Sequence, residues 1–64
     1  MNVIEEIENF DRALRVADLA MLLSFSEPAI YKFVAENTLR CYRIGSSIRF
    51  DPKVTADWLR ERLS

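Results

Sequence analysis

The sequence contains no histidine, one cysteine, one glycine and two prolines, and these scarcities exclude several kinds of protein. A single cysteine, Cys41, forms no disulfide within the chain, and without histidine a structural zinc site has almost no ligands. No apolar run approaches the roughly 18 residues of a membrane span, and the first residues lack the basic-then-apolar pattern of a secretory leader. We therefore expect a cytoplasmic protein that is stabilised by packing alone.

Catalysis has no candidate residues in this composition. Without histidine, with one cysteine and with no glycine-rich loop, the chain offers neither a nucleophile–base pair nor a phosphate cradle. The carboxylates are scattered, as solvated surface residues are. We expect no enzymatic activity, no cofactor and no metal ion.

The charges are distributed unevenly along 64 residues whose net charge is −1. Residues 1–11 hold four acids and no base, a charge of −4. The remaining residues hold all nine bases and six acids, a charge of +3. The chain is thus an acidic N-terminal segment followed by a mildly basic body, and this charge bias favours an anionic partner for the body.

The acidic N-terminal segment has the spacing of an amphipathic helix. Within residues 3–14, apolar side chains recur at intervals of three and four, and acids near the start suit the helix dipole. The apolar positions are Val3, Ile4, Ile7, Phe10 and Leu14. We predict an acidic N-terminal helix in residues 1–13 and a separate domain over 14–64. The apolar stripe must bury against that domain or against another molecule.

Three further helices are predicted from periodicity and from their ends. Apolar spacing predicts helices over 16–23, 27–36 and 53–63. Ser26 is a good N-cap with Pro28 in the first turn, and Asp51-Pro52 has the same character. Asn37 is predicted to end the second of these helices in a left-handed conformation, and Val54, Trp58, Leu59 and Leu63 are predicted to face inward from the last.

The stretch YRIGSSIRF, residues 42–50, predicts a β-hairpin. A three-residue loop at 45–47 pairs Ile44 with Ile48, Arg43 with Arg49 and Tyr42 with Phe50. In this register the two arginines oppose each other on one face, and like charges placed so are destabilising. An anionic partner on that face would relieve the repulsion.

Two short helices followed by a hairpin are the plan of a winged helix-turn-helix. A major groove admits one helix, and an adjacent hairpin reaches the backbone or the minor groove. In helix 27–36, Ile30, Phe33 and Val34 form one face. The opposite face carries Pro28, Lys32 and Ala35, with Tyr31 at its flank.

Residues 14–59 resemble the excisionase-like branch of the MerR-type helix-turn-helix domains. The matching residues are Val16, Leu19-Ala20, Leu22-Leu23, Ser26, Ile30-Tyr31-Lys32, Val34, Leu39, Tyr42-Arg43-Ile44-Gly45, Arg49-Phe50 and Trp58-Leu59. The resemblance implies a mainly α-helical winged helix-turn-helix fold with a small β-hairpin, to which the chain adds its N-terminal helix. It also implies a bacterial or phage-encoded, nucleoid-associated DNA-binding protein, active in recombination as an excisionase or in transcription regulation.

The resemblance, together with the predicted positions of helix 27–36 and the hairpin, gives the candidate DNA-binding residues. They are Ser26, Glu27, Pro28, Tyr31, Lys32, Arg40, Arg43, Ser46, Ser47 and Arg49. Arg43 and Arg49 either contact phosphates, pair with an acid such as Glu36, Asp51 or Asp57, or simply extend into solvent. Glu27 either accepts a hydrogen bond from cytosine N4 or complements the helix dipole, as Glu at a helix start commonly does.

The expected partner is double-stranded DNA, with helix 27–36 in the major groove. A domain this small should bind one site weakly, so self-association or an integrase-type protein is a further expected partner. The alternative is a protein-interaction module on the same fold that has little DNA affinity. Its interaction surface would be the apolar stripe of the acidic N-terminal helix.

Overall fold

The structure, a computed structural model, describes residues 2–63, which form four helices and one two-stranded antiparallel hairpin. The elements in chain order are α1 (Val3–Glu8), α2 (Val16–Leu23), α3 (Glu27–Ala35), β1 (Tyr42–Ile44), β2 (Ser47–Arg49) and α4 (Pro52–Leu63). The mainly helical class with a small hairpin is confirmed, and α2, α3 and α4 agree with prediction to within one residue at each end. Met1 and Ser64, the outer limits of the predicted segments 1–13 and 14–64, lie outside the described residues.

The helix ends follow local capping chemistry. The Ser26 hydroxyl accepts a hydrogen bond from the Ala29 N–H at 3.3 Å, and the Asp51 carboxylate accepts one from the Val54 N–H at 3.0 Å. The predicted left-handed stop at Asn37 is confirmed by its φ of 59°. Ser24 has a φ of 57° and closes α2 in the same way, although the sequence carries no glycine there.

The first helix is shorter than predicted. The Asn2 side chain accepts a hydrogen bond from the Glu5 N–H at 2.9 Å, and the helix ends after Glu8 rather than near residue 13. The apolar spacing runs past the helix because two different structures produce it. Ile7 is a helical residue whose side chain is buried, whereas Leu14 lies beyond the helix in an extended segment and is also buried.

All four helices contribute to one core. The buried apolar residues are Ile7, Leu14, Val16, Leu19, Ala20, Ile30, Leu39, Phe50, Ala56 and Leu59. The inward face of α4 differs from the predicted one, because Val54 and Leu63 are exposed while Thr55 and Ala56 are fully buried. Small side chains at these positions suit the close packing of α1 against α4.

Trp58 lies at the edge of this core instead of inside it. It is half-buried, and its ring meets that of Phe33 edge-on at 5.5 Å between centroids. The Arg62 guanidinium covers both rings, at 4.9 Å from the Phe33 centroid and 5.2 Å from the Trp58 centroid. Cation–π contacts therefore join the end of α4 to α3.

The predicted hairpin register is wrong by one residue. Tyr42 pairs with Arg49, Arg43 with Ile48, and Ile44 with Ser47, which leaves a two-residue loop. The loop begins at Gly45, whose φ of 63° is the conformation that a type II′ hairpin turn requires at that position. Because directly paired residues share a face, Arg43 and Arg49 lie on opposite faces and do not oppose each other.

The chain beyond β2 makes a second pairing. Phe50 forms an isolated antiparallel bridge with Leu14, with both N–H···O distances at 2.9 Å. Both side chains are fully buried. This bridge attaches the hairpin to the segment that leads into α2.

Ile7→Ala should destabilise the whole domain, because the Ile7 side chain is fully buried in the common core. The expected cost is about 2–5 kcal/mol in the free energy of unfolding, enough to leave much of so small a domain unfolded. Urea unfolding followed by circular dichroism measures it, and Ile7→Val should cost only about 0.5–1.5 kcal/mol. A change below about 0.5 kcal/mol for Ile7→Ala would contradict the packing of α1 into this core.

Glu8 should make stability depend on pH below its ordinary pKa. Its carboxylate accepts hydrogen bonds from the Arg60 guanidinium at 2.6 and 3.1 Å, and this contact lowers the pKa of Glu8 from 4.5. A lowered pKa stabilises the fold above the unfolded pKa, and that stabilisation disappears as pH falls through the folded value.

We therefore expect Glu8→Gln to reduce stability at pH 7 and to have a smaller effect at pH 3. Thermal unfolding at the two pH values measures the difference between wild type and variant. Glu6→Gln, on the same helix, is the matched control, because Glu6 is exposed and forms no ion pair within residues 2–63. It should change stability less than Glu8→Gln does at pH 7. An equal effect of Glu8→Gln at both pH values would contradict the role of the carboxylate charge.

Candidate nucleic-acid interface

The predicted DNA-binding residues lie on α3, on the hairpin and on the segment before β1. Nine of the ten are exposed, and Arg49 is half-buried. Exposure of this kind is needed for contact with a nucleic acid but does not by itself make a site. Their grouping around the hairpin is more informative.

One cleft, here called the β2 cleft, lies between the hairpin and the starts of α2 and α3. It has a volume of about 370 Å³ and is lined by Arg15, Val16, Ala17, Glu27, Tyr31, Ser46, Ser47, Ile48 and Arg49. Five of the predicted residues meet here, from two separate parts of the sequence. The cleft combines guanidinium groups, hydroxyls and one carboxylate.

A second cleft, here called the β1 cleft, lies where the chain passes from the end of α3 into β1. It has a volume of about 510 Å³ and is lined by Val34, Asn37, Leu39, Arg40, Cys41 and Arg43. Arg40 also borders a smaller recess with Asp57 and Glu61 of α4. Two of the predicted residues are therefore brought together here, on the other side of the hairpin.

Three predicted residues line neither cleft. The Ser26 hydroxyl is engaged as the N-cap of α3, while Pro28 and Lys32 lie exposed on the outer face of that helix. The predicted division of α3 is confirmed in its main feature, since Ile30 is fully buried while Pro28 and Lys32 are exposed. The outer face of α3 is thus free of bulky side chains apart from Lys32 and Tyr31.

Within residues 2–63, none of the three predicted acidic partners forms an ion pair with Arg43 or Arg49. Asp57 forms an ion pair with Arg60 at 2.8 Å, and the Asp51 carboxylate caps α4. Arg49 donates a hydrogen bond to the Ile48 carbonyl at 2.9 Å. Within residues 2–63, neither Arg43 nor Arg49 forms an ion pair.

The acids that do pair lie on the other elements. Glu8 of α1 and Asp57 of α4 both bind Arg60, and Asp18 of α2 binds Arg12 at 2.8 Å. The hydrogen bond from Arg12, with a second from the backbone N–H of Arg15, lowers the pKa of Asp18. Pairing therefore neutralises charge around α1, α2 and α4 and leaves the arginines of the hairpin unpaired.

Arg15 lines the β2 cleft but is not among the predicted site residues. It is the N-cap of α2 and makes no side-chain cap hydrogen bond, in agreement with the poor capping ability of arginine. Its neighbour Leu14 bridges to Phe50, and this bridge brings Arg15 to the cleft that Arg49 lines. The only local signal was a cation at a position where a capping residue is usual.

Two further features bear on the kinds of site present. Among residues 2–63, no group of three or more Cys, Asp or Glu side chains is placed to hold a metal ion. Within the same residues, every helix is too short or too polar to cross a membrane.

Comparisons with known proteins add no identification. No family model, curated protein or solved structure matches the chain.

Arg43→Gln should leave the fold intact, because the side chain is exposed and has no ion-pair partner within residues 2–63. We expect a change in the free energy of unfolding below about 0.5 kcal/mol. Arg62→Gln is the matched comparison and should cost about 1 kcal/mol, since it removes contacts to two rings. Urea unfolding measures both, and a larger cost for Arg43→Gln than for Arg62→Gln would assign Arg43 a structural role.

Proposed function

We propose that the protein is a small sequence-specific double-stranded DNA-binding protein of the excisionase or transcription-regulator type. In this proposal its fold is a winged helix-turn-helix of the excisionase-like, MerR-type kind. Helix α3 enters the major groove, and the hairpin over 42–50 contacts the backbone or the minor groove. The observation that carries the proposal is the position of Arg43 and Arg49 in clefts on the two sides of the hairpin, with no ion pair within residues 2–63. The hairpin comes directly after α3, whose outer face is exposed.

The outer face of α3 suits close approach to base pairs. The major groove is about 12 Å wide and admits one helix. Pro28 and Ala35 project little from the exposed face, so the helix backbone can come near the base edges. Lys32 supplies a cation on this face, and Tyr31 supplies a hydroxyl at its flank.

The net charge of −1 is compatible with this proposal because the acids and bases are separated. The acidic helix α1 packs against α4, where Glu8 is already paired with Arg60. The β2 cleft is bordered by α2, α3 and the hairpin. The β1 cleft is bordered by the end of α3 and the chain that leads into β1. Attraction to phosphate depends on the local field of this basic side more than on the total charge.

The alternative of a protein-interaction module through α1 has less support. Ile7, in the centre of the predicted stripe, is fully buried within the chain, and Ile4 and Phe10 pack partly against the same core. The apolar stripe is therefore largely used by the protein itself. Self-association or an integrase-type protein remains the proposed means by which one small domain acts at DNA.

The salt dependence of DNA binding tests the proposal. Fluorescence anisotropy with genomic duplex fragments measures the binding constant between about 50 and 200 mM salt. If the protein neutralises about four phosphates, the slope of log K against log salt should be about −3.6. Arg43→Ala and Arg49→Ala should each reduce the slope by about 0.9, because each removes one phosphate contact.

Lys53→Ala is the matched control, since Lys53 is exposed on α4 and lines neither cleft. It removes the same unit of charge and should leave the slope nearly unchanged. Absence of binding at low salt, or a slope near zero, would refute the proposal. An equal loss of slope for Lys53→Ala would show that binding follows total charge and not the hairpin.

A further inference from the structure

The two arginine-lined clefts lie on different sides of the hairpin and have different compositions. We infer that each cleft binds one phosphodiester group of the DNA backbone, and that Arg15 is a contact residue of the β2 cleft. The inference rests on the proposed function and extends it to the number of phosphates at the hairpin. It also adds a residue from outside α3 and the hairpin to the interface.

The β2 cleft has the donors that a phosphate requires. Arg15 and Arg49 supply two guanidinium groups against the single carboxylate of Glu27, which leaves a formal charge of +1 among the lining residues. A guanidinium binds phosphate oxygens with two parallel N–H···O bonds. The hydroxyls of Ser46 and Ser47 at the hairpin tip add further donors.

The start of α2 strengthens this cleft but does not define it. Val16 and Ala17, in the first turn of the helix, also line the cleft. The positive end of the helix dipole therefore adds to the field of the two arginines. Glu27 works against an anion here, so its removal should strengthen binding.

The β1 cleft has no acid among its lining residues. Arg40 and Arg43 supply two cations, and the Asn37 amide supplies a neutral donor. Arg40 also lines a recess with Asp57 and Glu61, and negative charges on that side oppose the approach of an anion to Arg40. Arg43 is therefore the principal anion-binding group of this cleft.

The clefts are separate sites because no residue lines both. The hairpin register places Arg43 on one face and Arg49 on the other. A phosphate held by one arginine is thus on a different side of the hairpin from a phosphate held by the other. Two phosphates, and not one shared phosphate, are required to occupy both.

A double-mutant comparison on duplex DNA tests the separation. Arg15→Gln and Arg49→Gln should each weaken DNA binding about tenfold, the effect of losing one charge-assisted hydrogen bond. Combined with Arg43→Gln, the Arg49→Gln loss should multiply to within about twofold, as for independent sites. Combined with Arg15→Gln, the total loss should fall short of the product by more than twofold, because the two share one phosphate.

Inorganic phosphate gives a test that does not depend on DNA. Phosphate is titrated at constant ionic strength, and the amide signals are monitored by NMR. The signals of Val16, Ala17 and Ser47 should shift as one group, and those of Asn37, Leu39 and Cys41 as another. Arg49→Gln should remove the first group of shifts alone, and Arg43→Gln the second alone. Glu27→Gln should tighten the response of the first group.

These measurements separate the inference from the proposed function. If wild type binds DNA but Arg15→Gln binds equally well, the assignment of Arg15 is wrong while DNA binding stands. If Arg49→Gln abolishes both groups of phosphate shifts, the two-site division is wrong. If DNA does not bind but both groups respond to phosphate as described, the proposed function fails and the anion sites stand.

Discussion

The arrangement of the whole domain depends on two backbone hydrogen bonds between Leu14 and Phe50. Each residue donates its N–H to the other's carbonyl at 2.9 Å, and both side chains are fully buried. Leu14 is followed by the N-cap of α2, and Phe50 is followed by the N-cap of α4. This one short pairing therefore fixes the position of the hairpin relative to α2 and α4. Its contribution is large because a chain this short buries only a small core.

The ion pairs sort the charges into two regions. Arg60 binds Glu8 and Asp57, and Arg12 binds Asp18, so the acids of α1, α2 and α4 are partly neutralised by nearby bases. Each surface pair of this kind contributes modestly to stability. Their larger consequence is that none of these pairs, within residues 2–63, involves the arginines of the hairpin, which a count of total charge conceals.

Local sequence predicted the elements well and their mutual placement less well. The caps Ser26 and Asp51 each accept a hydrogen bond from an N–H three residues later, so the starts of α3 and α4 could be predicted from neighbouring positions in the sequence. The hairpin register could not be predicted in this way, because alternation of apolar residues favours a three-residue loop. The strands instead pair through a two-residue loop, which places Ile44 and Ile48 on opposite faces. The positive φ of Gly45 suits the shorter loop, and Phe50 leaves the hairpin pairing to bridge with Leu14. Periodicity likewise overextended α1, since it does not distinguish a helix from an extended residue buried at the same interval.

The candidate site follows the same division. Residues such as Tyr31 and Ser46 were identified from their own segments, and the fold brings them together in the β2 cleft. Arg15 was not identified, because its position beside Arg49 results from the Leu14–Phe50 bridge across the chain. The register has a similar effect on electrostatics: it places Arg43 and Arg49 on opposite faces and so removes the repulsion that the predicted pairing implied. The hairpin needs no anion to relieve strain. Its arginines instead line two separate clefts, and this separation follows from the pairing register and not from the order of charges along the chain.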